Sequence, residues 1–356
     1  MNKPTSLNFE GAVCPVPHVH KDKILLGHGS GGRLTHDLIE RIFLPHFSNL
    51  HLIEGNDFAR IPSFLENCRL AVSTDAHIVS PLFFPGGDIG KLAVCGTVND
   101  VAMSGAVPLY LTASFILEEG LAIDTLEQII ISMKNSAREA GIKIIAGDTK
   151  VVENGKADGL FISTTGFGWI PAGINIGGEF ARPGDVVLVS GTLGDHGIAV
   201  LSARGDLGLE TRIESDVAPL NSMIADLLAA APDTHVLRDP TRGGLATTLN
   251  EIARQSDVCI RLFEEKIPVN PSVRAVCELL GFDPLYIANE GKLIAIIPRA
   301  QSDDALKALQ AHPLGNNAMR IGVIEPEPRR KVLLQIPTAG SRILDMLSGE
   351  MLPRIC

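Results

Sequence analysis

The chain has 356 residues, 45% of them hydrophobic and 20% charged, which is enough for two domains with a sizeable core. Its 31 basic and 41 acidic side chains leave a net charge of −10, and no Lys/Arg cluster is present to track a phosphate backbone. Aromatics are 4%, which argues against stacking of nucleic-acid bases, while 35 glycines suit an α/β protein with many sharp strand–helix turns. The six cysteines, Cys14, Cys68, Cys95, Cys259, Cys277 and Cys356, form no CxxC pair, a usage that reads as the reducing cytoplasm. Residues 1–22 lack an apolar signal core, and no apolar run reaches about 18 residues, so neither a secretory signal nor a membrane span is expected.

In chain order, residues 1–22 read as an irregular arm. KILLGHGSGGRLTHDLIERIF reads as a short strand, a Gly-rich loop and a helix through about Phe43. RLAVSTD (69–75) is an apolar strand ending in an acid, and 88–104 is a helix. Residues 108–117 form a strand, and 124–140 an amphipathic helix with Asp124 near its N-cap. IKIIAGD (142–148) is a second apolar strand ending in an acid, and 159–169 is the strand that closes a first domain, 23–169. The Gly- and Pro-rich stretch 170–184 reads as a linker. A second domain, 185–330, restarts with a strand at 185–190 and alternates helices and strands to the EPEPRR breaker. The segment 331–356 contributes a strand, KVLLQI, a short helix near 342–347 and a tail ending in Cys356.

The acids are the strongest chemical signal. Asp75 and Asp148 end strands, Asp100 sits on the 88–104 helix, and Asp239 precedes the helix of LATTLNEIA. Any one of them is as readily a cap or turn residue. Four acids at element ends, however, face the crevice where open α/β sheets bind ligands, and they repel unless a cation joins them. Carboxylates with substrate phosphates are the ligand set of Mg²⁺.

The loop GHGSGG fits G-x-G-x-x-G, with Glu54 about 20 residues on, so a dinucleotide site is one reading. A flexible loop covering a polyphosphate is the other, and the downstream acids, which NAD chemistry does not need, favour it. Lys150 in GDTK and Glu290 in ANEGK are surface-turn residues on the plain reading, or proton-handling groups if burial shifts them. Lys91 either meets phosphate or points to water.

After Gly349 the chain runs EMLPRIC, and Pro353 forbids a continued helix. Eight extended residues reach roughly 26 Å, so Cys356 can enter a distant cleft. A thiol at the end of such an arm is a good carrier, because its thiolate is strongly nucleophilic. A frayed end is the ordinary alternative.

The segments STDAHIVSP, GGDIGKLAVCGTVNDVAMSGAVP, IIAGDTKVV, DPTRGGLATTLNEIA and NEGKL together resemble the superfamily of aminoimidazole ribonucleotide synthetase, thiamine-monophosphate kinase and selenophosphate synthetase. Within it, the ending PRIC and the GHGSGGRL loop resemble the HypE family of hydrogenase maturation factors, the carbamoyl dehydratases, and the likeness spans about residues 22–356. That resemblance implies a two-domain PurM-like fold. Its α/β N-terminal domain dimerises through a shared β-barrel, its C-terminal domain is α+β, and its C-terminal tail is mobile. It implies ATP between the domains near the dimer interface, with Asp75, Asp100, Asp239 and also Asp148 as Mg²⁺ ligands. By the same carry-over Gly29, Gly31, Gly32, Lys91, Asn99, Asp75 and Asp148 meet the nucleotide, Lys150 and Glu290 move protons, and Cys356 carries the carbamoyl group. The implied donor is HypF, and the implied acceptor is the HypC–HypD complex that places cyanide on the iron of [NiFe]-hydrogenase. A kinase or synthetase acting on a free small molecule would need the same acids. The tail argues against that alternative, and the absence of a Cys in the Gly-rich loop argues against selenophosphate synthetase.

Overall fold

The computed structural model describes residues 32–38, 40, 59–62, 68–205, 213–338, 340–349, 352 and 354–356. Its elements in chain order begin with α1 (Arg33–Leu38), β1 (Ala59–Pro62), β2 (Arg69–His77), β3 (Phe83–Phe84), β4 (Gly87–Asp88), α2 (Ile89–Met103), β5 (Val107–Glu118), α3 (Ile123–Glu139), β6 (Lys143–Val152) and β7 (Leu160–Ile170). They continue with β8 (Val186–Val189), α4 (Asp195–Ala203), α5 (Asn221–Ala230), β9 (Val236–Arg238), α6 (Gly244–Gln255), β10 (Cys259–Phe263), α7 (Pro271–Leu280), β11 (Ile294–Ile297), α8 (Ser302–Ala311), β12 (Met319–Glu325), β13 (Lys331–Ile336) and β14 (Gly340–Ile343).

Two sheets organise the molecule. The first has order β1-β2-β7-β5-β6, antiparallel except for the parallel β5–β6 pair at its edge. The second has order β14-β13-β10-β12-β8-β11-β9. Its inner strands read VVLV and IAII and are buried throughout, as continuous apolar strands covered on both faces must be. Leu245, Leu249 and Ile252 of α6 cover one face, and Met223, Leu227, Ala305 and Leu309 of α5 and α8 cover the other.

Helix α2 is the pivot. Ile89, Leu92, Val94, Cys95, Val98 and Val101 are buried around its whole circumference, the mark of a helix enclosed on all sides. It lies on β7, where a Cβ on Gly166 or Gly168 would come within 2.8 or 2.7 Å of Val101. Its first turn is held by Asp88, whose Oδ1 accepts from the N–H groups of Gly90 (2.7 Å) and Lys91 (3.0 Å). Its far side meets the second half of the chain through Asn99. The Asn99 side-chain N–H donates to the carbonyls of Ala218 (3.1 Å) and Glu290 (3.3 Å), and its Oδ1 accepts from Leu220 N–H at 2.8 Å.

Several local expectations change. The segment expected as a helix near 342–347 instead forms β14, which folds back on β13 with Leu334 opposite Arg342. Gly340, φ +83°, opens β14 opposite Ile336 in the left-handed conformation that favours glycine. Asp124 lies in the first turn of α3 but does not cap it; Ala122 stands at that position with no side-chain bond. Asp75 and Asp148 lie inside their strands rather than at the ends, because β2 and β6 run on to His77 and Val152. β13, expected in a separate closing segment, pairs in parallel with β10 inside the second sheet.

Candidate active site

A cleft of about 250 Å³ lies where β2, α2 and the loops before α6 and β11 meet. Ser73, Thr74 and Asp75 of β2, Gly96 and Asp100 of α2, Asp239, Thr241 and Arg242 before α6, Glu290, and Cys356 line it. The small residue at 96 makes room: a Cβ there would stand 3.6 Å from Asp75 Oδ2, 3.9 Å from Glu290 Oε2 and 3.1 Å from His77 Cε1. Ser73 Oγ donates to Asp100 Oδ2 at 2.8 Å, and Ala76 N–H donates to Asp75 Oδ1 at 2.7 Å.

The charges are crowded. Burial raises the Glu290 carboxyl well above the usual carboxylate range, and Asp75, Asp239 and Asp216 add to the rise while Arg242 opposes it. Glu290 Oε1 is buried with no hydrogen-bond partner. Behind it, Asp216 Oδ1 accepts from Glu290 N–H at 3.1 Å and Oδ2 faces Lys292 Nζ at 3.1 Å. Burial pushes Asp216 up, but Lys292, His196 and that N–H together hold it below its ordinary value. Arg242 is the cation of the cleft wall. Cys356 raises its guanidinium most, and against burial Asp75, Glu290 and Asp100 do the same. His77 stands 3.6 Å from Asp75, yet burial lowers it more than Asp75 raises it, so the contact is that of a neutral imidazole.

The tail reaches this cleft. Val79 and Ile355 form an antiparallel bridge, with Ile78 N–H donating to Cys356 O and Ser80 N–H to Arg354 O, both at 3.1 Å. Ile355 and Leu352 are buried in the core around α2, and Cys356 packs against it.

Residues 55–170 match the N-terminal domain of AIR synthase related proteins, and 182–335 match the C-terminal domain. The chain is 56% identical to the carbamoyl dehydratase HypE of Cupriavidus necator, over 95% of this chain and 96% of that protein. The chain belongs to the HypE family. Among solved structures of that family, the HypE–HypF complex matches with a TM-score of 0.82 at 48% identity, over 87% of this chain and 99% of that one. A HypE in complex with ATP matches with a TM-score of 0.78 at 50% identity, over 94% of this chain and 100% of that one. The two-domain PurM-like fold expected from the sequence is the fold of these HypE structures.

The cleft of this HypE-family chain brings together five of the residues singled out in the sequence: Asp75, Asp100, Asp239, Glu290 and Cys356. Others lie elsewhere. Asp148 and Lys150 pair with each other on the outer strand β6, 65% and 73% exposed, and do not reach the cleft within one chain. Asn99 is buried between the two halves of the chain, its amide N–H groups donating to the carbonyls of Ala218 and Glu290 and its oxygen accepting from Leu220 N–H. Lys91 turns its Nζ to Gly86 O at 3.1 Å. Gly32 sits against Leu347, whose carbonyl a Cβ would strike at 2.2 Å; Gly29 and Gly31 lie outside the described residues.

Sequence reasoning passed over Ser73, Thr74, Gly96, Thr241 and Arg242. Arg242 stood inside the RDPTRGG motif already marked for Asp239, which was the signal available.

The donors fit Mg²⁺ in one sense. Among the described residues no three His, Cys, Asp or Glu side chains converge tightly enough to enclose an ion. What the cleft offers is carboxylate and hydroxyl oxygen, with one buried Glu290 oxygen unpartnered. Such a set suits Mg²⁺, which is commonly held by one or two carboxylates together with phosphate oxygens and water.

Proposed function

We propose that this chain uses ATP to dehydrate a carboxamide carried on Cys356, converting S–C(=O)–NH₂ to S–C≡N for the cyanide ligands of [NiFe]-hydrogenase. The observation that carries this reading is the docking of Cys356 in the same cleft as Asp75, Asp100, Asp239, Arg242 and Glu290. A carrier residue and a phosphate-compatible acid cluster share one space, as a reaction on the carried group requires.

The carbonyl oxygen of a thiocarbamate is a poor leaving group. Transfer of the γ-phosphoryl from ATP to that oxygen, with loss of one N–H proton, gives S–C(OPO₃²⁻)=NH and ADP. Breaking the C–O bond then releases phosphate, and loss of the second N–H proton leaves the nitrile. Mg²⁺ held with the phosphates by Asp75, Asp100 and Asp239 would neutralise charge on the transferring group. Arg242 faces Cys356 and adds fixed positive charge where phosphate departs. Glu290 accepts the first proton, since its raised pKa makes its ionised form a stronger base than an ordinary carboxylate, and the departing phosphate takes the second.

Lys150 and Asp148, expected as further proton and metal groups, enter this scheme only if a second copy brings β6 to the cleft. The exposure of β6 along its length, with Ile144, Ile145 and Val151 open to solvent, supports a homodimer closed through that sheet. HypF as carbamoyl donor is supported by the HypE–HypF complex. The HypC–HypD complex as acceptor and a cytoplasmic location complete the reading; among the described residues no helix is long and apolar enough to cross a membrane.

Intact-mass spectrometry after incubation with the carbamoyl donor and ATP tests it. The carbamoylated chain is expected to lose the mass of one water, and Cys356→Ala to take up no carbamoyl group while still binding ATP. Full turnover of a soluble substrate by a chain lacking 350–356 would instead favour the small-molecule kinase.

A further inference from the structure

The tail's seat is built largely from one helix that the chemistry above does not use. His196, on the first turn of α4, is fully buried, and its Nε2 lies 2.5 Å from the carbonyl oxygen of Ile355. A carbonyl only accepts, so Nε2 carries the proton. On the other side of the ring, Nδ1 lies 2.8 Å from Ser215 Oγ, which itself accepts from Val217 N–H at 3.1 Å. Ser215 therefore donates to Nδ1, and the neutral imidazole is satisfied at both nitrogens. Burial, which outweighs Asp216 and Ile355, lowers the ring's pKa and keeps it in that form. Phe84 packs edge-on at 5.5 Å between centroids and fixes the ring plane.

The same helix holds the tail at two further points. Its C-cap, Arg204, donates from Nη2 to Arg354 O and from Nε to Ser80 O, both at 2.9 Å. A Cβ on Gly197 would stand 3.2 Å from Leu352 Cδ1, so the bare backbone there is a shelf for Leu352. Arg354 is held at φ +53°, a conformation that a non-glycine residue keeps only where its surroundings impose it.

The His196 and Arg204 bonds, and the Ile78 and Ser80 N–H bonds, fall on the tail's backbone carbonyls; Leu352 against Gly197 and the Arg354 guanidinium to Asp158 are side-chain contacts beside them. The geometry points to α4 as the docking receptor for residues 352–356, with His196 and Arg204 as positioning residues that set the register of Cys356. Because they read backbone rather than the thiol, the seat accepts the tail whatever group its sulfur carries. The free thiol, the carboxamide and the nitrile are all presented to the cleft at one depth. The dock stands without the reading of Cys356 as a carrier; its catalytic consequence rests on that reading.

Trypsin cleavage of the Arg354–Ile355 bond, followed by intact mass in the full-length protein, measures undocking, because cleavage tracks the open population. His196→Ala and Arg204→Ala should each be cut about tenfold faster, the factor that one ordinary hydrogen bond commands. His196→Gln, whose amide N–H replaces Nε2–H, should return to within about threefold of wild type by the same reckoning. Cys356→Ala should be cut at the wild-type rate. Wild-type cleavage of the tail bond in Arg204→Ala, or an acceleration in Cys356→Ala equal to that in His196→Ala, overturns the proposal. So does a His196→Gln chain cut as fast as His196→Ala. Carbamoyl uptake on Cys356 should persist in His196→Ala while water loss slows. Faster tail cleavage with unslowed water loss would leave the dock standing and remove its role in catalysis.

Discussion

Glu290 is the residue where stability and chemistry pull apart. Burial first, and then Asp75, Asp239 and Asp216, hold its carboxyl protonated to a higher pH than in the unfolded chain. As pH rises from the ordinary carboxylate range toward the folded value, the unfolded chain releases a proton that the folded chain keeps. Stability therefore falls across that window and stays lowered above it. Glu290→Gln has no such proton. In metal-free protein it should melt several degrees above wild type near neutral pH, with the gap closing as the solution is taken down to about pH 4. The same variant should bind ATP and fail to form the nitrile. A melting point equal to or below wild type at neutral pH would sink the electrostatic account. Asp75, Asp100 and Asp239 were legible because each stands in a short motif beside an apolar element. His196 and Arg204 were not, since nothing local marks a lone His in GDHG; the fold alone brings residue 355 to it.

At the scale of elements, α2 depends on its cap more than its composition suggests. Its residues include Gly90, Gly96 and four valines or threonines, poor helix formers that packing must compensate. Asp88 satisfies the first-turn N–H groups and also accepts from Ser132 Oγ at 2.5 Å, tying α2 to α3. Asp88→Ala should cost about 1–2 kcal/mol, read as a lower urea midpoint at unchanged slope. A loss under a few tenths would mean that packing alone holds the turn. α2 was legible in the sequence to within one residue at each end, since a long apolar stretch after GGD has few alternatives. The outcome at 342–347 differed because hairpin pairing with β13, a contact outside the segment, decided it. The depth of Asp148 within β6 was hidden for a like reason: β6 runs as far as β5 gives it partners, to Glu118 opposite Val152.

At the scale of the molecule, the first sheet leaves apolar side chains open on β5 and along its edge strand β6. Val107, Tyr110, Ile116, Ile144, Ile145 and Val151 are exposed on β5 and β6. An uncovered edge strand of this kind is normally paired or buried by a partner. Val151→Lys should turn a dimer into a folded monomer by light scattering, with circular dichroism unchanged and ATP turnover reduced as Lys150 leaves the partner's cleft. A wild-type monomer, or a Val151→Lys dimer of full activity, would dismiss that closure. The order of an N-terminal and a C-terminal domain was legible from motif order; the exposure of β5 and β6 was not, because exposure is a property of the folded sheet.

Asn99 ties these scales together. Through Ala218, Leu220 and Glu290 it fastens the helix bearing Asp100 to the loop bearing Glu290, so the protein's own hydrogen bonds set the spacing of both walls of the cleft. The repulsion among the carboxylates is met when the chain folds rather than when ATP arrives. The cleft is thus preorganised: its reorganisation cost belongs to folding, and a bound nucleotide meets walls already in place.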